Sequence, residues 1–243
     1  MQYLGGKSRI GKKIAVELIN PLVMAADRPY YEPFVGACNV ARYVKASWRL
    51  LTDANADLIA LWREVQRGWV PPMAVSEAEY AAARNDPATA AHLRAFIGFG
   101  CSFGGKWFGG YARNSRGDDY CGQARNSIAK LAPDIQSAHF EHVGYADIAP
   151  RPNAVIYCDP PYAHTTGYGS VGAFDSEAFW NKVRLWSETC DVLVSEYRAP
   201  EDFVCVAEYA TKLELRSKSG REPRIERVFT YATRRNLQTN PQD

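Results

Sequence analysis

No run of about 18 or more consecutive apolar residues occurs in the chain, so no helix is expected to cross a membrane. The six cysteines, Cys38, Cys101, Cys121, Cys158, Cys190 and Cys205, contain no C-x-x-C pair, and no apolar signal segment precedes them. Reduced thiols in a cytoplasm are the expectation. The four histidines do not stand beside those cysteines at ligand spacing, and no metal is expected. An excess of charge of one sign is also lacking. Lys and Arg number 29 against 27 Asp and Glu, a net charge of +2, so affinity for a polyanion has to come from local clustering. Internal repeats and low-complexity tracts are absent.

What the chain does have is 243 residues, 47% of them hydrophobic, enough for one full core and an inserted lobe. A Gly-rich basic opening, Met1 to Lys13, runs into an amphipathic stretch from Ile10 to Leu22 with Ile14, Leu18 and Ile19 at helical spacing. Tyr30 onwards reads as a short strand, a turn and then a helix through Tyr43. Trp48 to Thr52 reads as a second strand ending at Asp53, and Leu58 to Val65 returns to helical period. This alternation predicts a parallel α/β sheet. The sheet is expected to resume at Ala154 to Cys158 and Val192 to Ser195, with a helix through Phe179 to Trp186 between them. A last strand, Arg227 to Tyr231, precedes a polar tail from about Asn236 that is expected to fray. Between these parts lie helical stretches around Glu77 to Arg84 and Ala88 to Phe99, a Gly-rich aromatic run from Gly98 to Tyr111, and a polar loop. The division this predicts is a catalytic domain of 1–55 and 138–243 with an inserted region, 56–137.

The sharpest local signal is Asp159-Pro160-Pro161-Tyr162, directly after an apolar strand, where open α/β sheets place their ligand crevice. Two prolines fix the backbone and remove two N–H donors, so that the Asp159 carboxylate and the Pro160 carbonyl can both aim at one planar amine. Tyr162 offers a face on which a base could stack. A flipped adenine fits that description. The alternative is a plain turn in which Pro-Pro ends the strand and Asp159 caps it. Glu32 to Cys38 sits at the first strand-to-turn junction, where Gly36 permits close approach of a ligand to the backbone. Only one glycine of a G-x-G-x-x-G remains there, Cys38 standing where a second would be, and a buried turn is the competing reading. Asp53, about 20 residues after Phe34, stands where an acidic side chain grips ribose hydroxyls in such folds, and it could also cap the following helix.

Together these segments resemble, in order along the chain, the Dam-type D12 class of N6-adenine DNA methyltransferases. Tyr3-Leu4-Gly5-Gly6-Lys7 is similar to the family's aromatic-x-Gly-Gly-Lys motif, Glu32 to Cys38 to its Glu-Pro-Phe-x-Gly-x-Gly loop, Leu51 to Leu58 to its acidic segment, and Tyr157 to Tyr162 to its catalytic segment. The resemblance implies a Rossmann-like S-adenosylmethionine-dependent methyltransferase sheet with an inserted, mainly helical target-recognition region. It implies a cofactor site of Tyr3, Lys7, Phe34, Gly36, Asp53, Asp147 and Asp159, catalysis by Asp159, Pro160 and Tyr162, and S-adenosylhomocysteine as product. The substrate implied is an adenine flipped out of double-stranded DNA, because a base inside a duplex cannot reach such a site. Phe103 to Tyr111 is only loosely similar to the family's Phe-Asn-Gly and Arg-x-Asn stretch.

Lys106, Arg113, Asn114, Arg116 and Arg125 are the candidates for groove or phosphate contacts in the insertion. Between Lys212 and Arg235 eight basic residues face three glutamates, and Arg221 and Arg224 are the candidates for phosphate contacts there. His164 to Ala173 is expected to form a mobile loop that orders over the flipped base. A monomer or weak dimer on DNA, with no membrane, is expected; no nuclease-like segment is evident, and the small size suits a solitary bacterial or phage enzyme at the nucleoid. The competing functions are transfer to RNA or to a protein amide, and a non-catalytic DNA-binding module. Asp rather than Asn at the head of the tetrapeptide argues against a glutamine substrate.

Overall fold

Seven strands form one sheet in the order β3-β2-β1-β4-β5-β7-β6 in the computed structural model, which describes residues 1–161, 174–211 and 224–232. They are β1 (Tyr30–Glu32), β2 (Arg49–Asp53), β3 (His139–His142), β4 (Val155–Cys158), β5 (Asp191–Glu196), β6 (Phe203–Thr211) and β7 (Arg224–Tyr231). The pairings β1 with β2, β2 with β3, β1 with β4 and β4 with β5 are parallel, whereas β7 runs antiparallel to both β5 and β6. The result is a Rossmann-like α/β sheet. Chain order reverses between β1 and β4, and the crevice beyond the carboxyl ends of those neighbours is where open α/β sheets hold ligands.

The sheet is covered on both faces, which is why β4 is buried at every position. One face carries Tyr30, Tyr157 and Leu193 into a core with Ile14, Ile19, Leu58 and Trp62. The other carries Tyr31, Ile156, Val192 and Val194 against Phe179, Val183 and Trp186 of the helix Ser176–Ser187. That helix forms because Phe179, Val183 and Trp186 recur on one stripe and the Asp175 side chain accepts from the Ala178 N–H at 2.9 Å. Each such buried side chain is worth about 1.5–3 kcal/mol. The helix Ala56–Gln66 starts the same way, with Asn55 accepting from the Leu58 N–H at 3.0 Å. Arg63 of that helix donates to the Phe140 carbonyl on β3, which ties it to the sheet.

Several expectations need correcting. No α-helix follows β1; a three-residue 3-10 turn, Ala41–Tyr43, stands in its place. The space is taken by the continuous helix of Gly11–Ile14, the π-helical Ala15–Ile19 and Asn20–Met24. At Gly11 even a Cβ would come within 2.3 Å of the Asn39 carbonyl oxygen. The expected polar loop before β3 contains a helix, Tyr120–Leu131, capped by Asp119 and burying Cys121, Ala124, Ile128 and Leu131. The strand β6 was not expected and pairs with β7 as a long hairpin. The six cysteines are free thiols. Among the described residues no helix is long and apolar enough to cross a membrane. The polar tail and the segment His164 to Ala173 lie outside the described residues.

Candidate active site

At the reversal between β1 and β4 lies a cavity of about 340 Å³, a size that suits a small organic ligand. Its wall is built from four separate stretches of chain: Tyr3 to Lys7, Glu32 to Val40, Asp53 to Asn55, and Asp159 with Pro161. Tyr145, Ala146, Phe174 and Asp175 close the remaining side.

The turn after β1 is fixed from both flanks. Val35 N–H donates to the Thr52 carbonyl at 2.9 Å, Gly36 N–H to Asp53 Oδ2 at 3.1 Å, and Trp62 Nε1 to the Gly36 carbonyl at 2.9 Å. Gly36 has φ 47, and a Cβ there would stand 2.9 Å from the Tyr3 ring, so both conformation and space require glycine. Cys38, two residues on, is fully buried and left-handed at φ 54, a region L side chains rarely adopt. The expected resemblance to a second glycine therefore extends to the backbone, although the side chain differs.

Asp53 ends β2 and also accepts from the Asn55 N–H at 2.9 Å. Burial pushes its carboxyl up to about 6 against these hydrogen bonds, so it is mainly ionised at neutral pH. Glu32, at the end of β1, is only 2% exposed, accepts from the Tyr30 hydroxyl at 2.6 Å, and is pushed by burial up to about 8. It is therefore mainly protonated near neutrality. Lys7 is buried as well: its Nζ donates to Asp159 Oδ1 at 2.7 Å and to the Gly5 carbonyl at 3.1 Å.

Phe34, Tyr145 and Phe174 form an aromatic wall, with the Phe34 ring 5.5 Å from Tyr145 and 6.0 Å from Phe174. Tyr3 stacks on Phe99 at 4.8 Å, and Gly105 carries the Leu4 N–H on its carbonyl at 3.1 Å. The middle of the chain is thereby joined to the N-terminal motif.

Of the residues read from sequence, Tyr3, Lys7, Phe34, Gly36, Asp53 and Asp159 line this one cavity. Asp147 does not; it is exposed, while its neighbours Tyr145 and Ala146 line the wall. Pro160 is buried outside the lining. Tyr162 and Arg221 lie outside the described residues, and of Arg224 only the backbone on β7 is described. Lys106, Arg113 and Arg116 are exposed, Arg113 pairing with Glu77 at 2.8 Å, and Arg125 is half-buried. Asn114 is spent within its own loop: its Oδ1 accepts from the N–H groups of Arg116 and Asp118, and its Nδ2 donates to the Tyr120 hydroxyl. The sequence reading missed Asn39, Asn55, Tyr145, Phe174 and Asp175 as lining residues. Asn55 and Asp175 had a local signal, each standing at a helix cap.

The donor set fits S-adenosylmethionine. Asp53, Asp159 and Asp175 would face the positive charges on its sulfur and amino group, Lys7 is the one cation among the described lining residues, and the aromatic wall suits an adenine ring.

Residues 3–89 match the model of the family described as D12 class N6 adenine-specific DNA methyltransferase, the segment that holds Tyr3, Lys7, Phe34, Gly36 and Asp53. Asp159 and Pro160 lie beyond it. A search of curated proteins gave no match. Among solved structures, one described as a methylase from Haemophilus influenzae is similar at 10% identity, covering 90% of this chain and 88% of that one, with a TM-score of 0.41. An rRNA methyltransferase from Streptomyces viridochromogenes is similar at 12% identity over 95% of this chain and 88% of its own, with a TM-score of 0.40.

Proposed function

We propose that this methyltransferase moves a methyl group from S-adenosylmethionine to the N6 amine of an adenine flipped out of double-stranded DNA, at a specific site. The observation that carries this reading is that Asp159, at the end of β4, and the Gly36–Asp53 turn line one continuous cavity. The family matched over residues 3–89 supports DNA adenine as the target.

In this reading Asp53 holds the ribose hydroxyls, Phe34 and Tyr145 hold the cofactor's adenine, and the Gly36 backbone lies close against the ligand. Asp147, next to the lining residues Gly144, Tyr145 and Ala146, would contact the cofactor's adenine from the edge of the cavity. The bound cofactor supplies a methyl group on a sulfonium, a good leaving group. Asp159 accepts a hydrogen bond from the target amine, and the Pro160 carbonyl offers the second acceptor. Two acceptors draw the amine nitrogen out of conjugation with its ring and present its lone pair to the methyl carbon. The cofactor would give up its methyl group to the amine nitrogen, its sulfur taking the electrons of the broken bond, and the amine would release its proton to solvent. Catalysis is then largely positioning. Tyr162 stacks on the flipped base. The region 56–137, rooted on the sheet through the helix Ala56–Gln66, presents Lys106, Arg113, Arg116 and Arg125 to DNA, with Arg221 and Arg224 adding phosphate contacts.

Purified protein, S-adenosylmethionine and plasmid DNA test the reading, with nucleosides analysed by mass spectrometry and sites by single-molecule sequencing. N6-methyladenine within a fixed motif is expected, and Asp159→Ala should abolish it while leaving DNA affinity within about threefold. Methyl groups found in RNA or protein and not in DNA would overturn it.

A further inference from the structure

We propose that Glu226, on the antiparallel strand β7, is a positioning residue that shares Lys7 with Asp159 and so keeps the Asp159 carboxylate available to the target amine. The proposal rests on the function read above for this cavity.

Lys7 Nζ touches two carboxylates. It is 2.7 Å from Asp159 Oδ1 and 3.8 Å from Glu226 Oε2, and all three side chains are shielded, at 4%, 17% and 14% exposure. Glu226 is itself aimed: its Oε1 accepts from the Tyr197 hydroxyl at 3.1 Å, which leaves Oε2 turned toward Lys7. The neighbouring cation Arg227 is engaged with Glu208 at 2.7 Å, so it does not draw Glu226 away. Three titratable groups beside Asp159 carry little charge at neutral pH. On β1, Glu32 is pushed up to about 8, and on β4 burial pushes Tyr157 and Cys158 well above their ordinary values. Glu226 is thus the second anion facing this lysine among the described residues.

One ammonium paired with one carboxylate is a closed, neutral unit. An incoming amine would compete with Lys7 for the Asp159 carboxylate, and the positive charge that grows on the amine nitrogen would lie beside the Lys7 ammonium. Glu226 brings a second carboxylate to that ammonium. Lys7 can lean onto Glu226, and Asp159 keeps its acceptor strength at the moment of transfer. The β6–β7 hairpin is thereby given a part in the chemistry at a strand that none of the sequence motifs includes.

Glu226→Gln keeps shape and removes charge, and Glu226→Asp keeps charge. In the free protein, the ammonium 1H–15N signal of Lys7, assigned by its loss in Lys7→Ala, should shift in Glu226→Gln and return toward the wild-type position in Glu226→Asp. In methyl transfer, Glu226→Gln should lower kcat about tenfold with KM for DNA and for cofactor within twofold and an unchanged melting temperature. Tyr197→Phe should act in the same direction to a smaller extent. An unmoved Lys7 signal overturns the sharing of Lys7. A shifted signal with kcat unchanged, or with the loss falling on KM or melting temperature, overturns the positioning role. If the wild-type protein transfers no methyl group to DNA, the proposed function fails, and the Lys7 spectra still report on whether Glu226 shares that lysine.

Discussion

The backbone N–H of Gly36 donates to Oδ2 of Asp53 across 3.1 Å, so the turn after β1 and the end of β2 are locked to each other through the carboxylate that faces the cavity. Because burial pushes Asp53 up to about 6, cofactor affinity should fall as pH drops through that value, the protonated carboxyl being a poorer acceptor for ribose hydroxyls. Isothermal titration between pH 5 and 8 should show weakening below about 6 in the wild type. Asp53→Asn should bind weakly throughout with little pH dependence, and a wild-type affinity that is flat over this range would remove Asp53 from the ligand site.

Cys38 gives a test that separates backbone from side chain. It holds φ 54 with its thiol fully buried. Cys38→Ala and Cys38→Gly both vacate the thiol's space, but only glycine relieves the left-handed conformation, which costs other residues about 1–2 kcal/mol. In urea melts Cys38→Gly should be more stable than Cys38→Ala by about 1 kcal/mol, opposite to the order at a helical position.

Gly104 and Gly105 are adjacent and both have positive φ, yet a Cβ meets nothing within 4 Å at Gly104 and lies 2.5 Å from the Gln2 and Tyr3 backbone at Gly105. Gly105→Ala should therefore displace the N-terminal motif, destabilising by about 1–3 kcal/mol and weakening cofactor binding at least tenfold. Gly104→Ala should cost about 1 kcal/mol from backbone strain alone and leave binding unchanged. Equal binding by both variants would show that the 103–111 stretch does not support the cavity.

Glu32 sets an expected dependence of stability on pH. Its carboxyl is raised from 4.5 to about 8 in the fold by burial, so the native state binds more protons than the unfolded chain between those values. Its contribution is fully present below about pH 4.5 and is lost as pH rises through about 8. Thermal melts of Glu32→Gln, compared with wild type at pH 5, 7 and 9, should show the variant losing less stability across that interval. Parallel curves would place the loss on other groups.

How much of this was legible beforehand varied with how local the signal was. The strand-end motifs were readable because each is one continuous segment: Glu32 to Cys38, Asp53 and Asp159 all fell at the carboxyl edge of their strands as expected. The helix Tyr120–Leu131 was not, although Asp119 and the spacing of Cys121, Ala124, Ile128 and Leu131 encode it, because Gly122 and Asn126 mask its propensity. β6 escaped notice for a different reason: it is an edge strand whose exposed Val206 spoils the alternation. The aromatic wall and Glu226 could not be read at all. Phe34, Tyr145 and Phe174 come from three distant segments, and Lys7 meets Glu226 only because β7 inserts between β5 and β6.

The three-residue turn that stands after β1, where a full helix was expected, bears on which nucleotides this cavity can admit. A helix beginning there would aim its amino-terminal dipole, roughly half a positive charge, at the ligand and welcome a pyrophosphate. Without it, a dinucleotide would meet the carboxylates of Asp53, Asp159 and Asp175 with no compensating partial charge from that segment. On the function proposed above, that suits an adenosine that carries a cation and no phosphate.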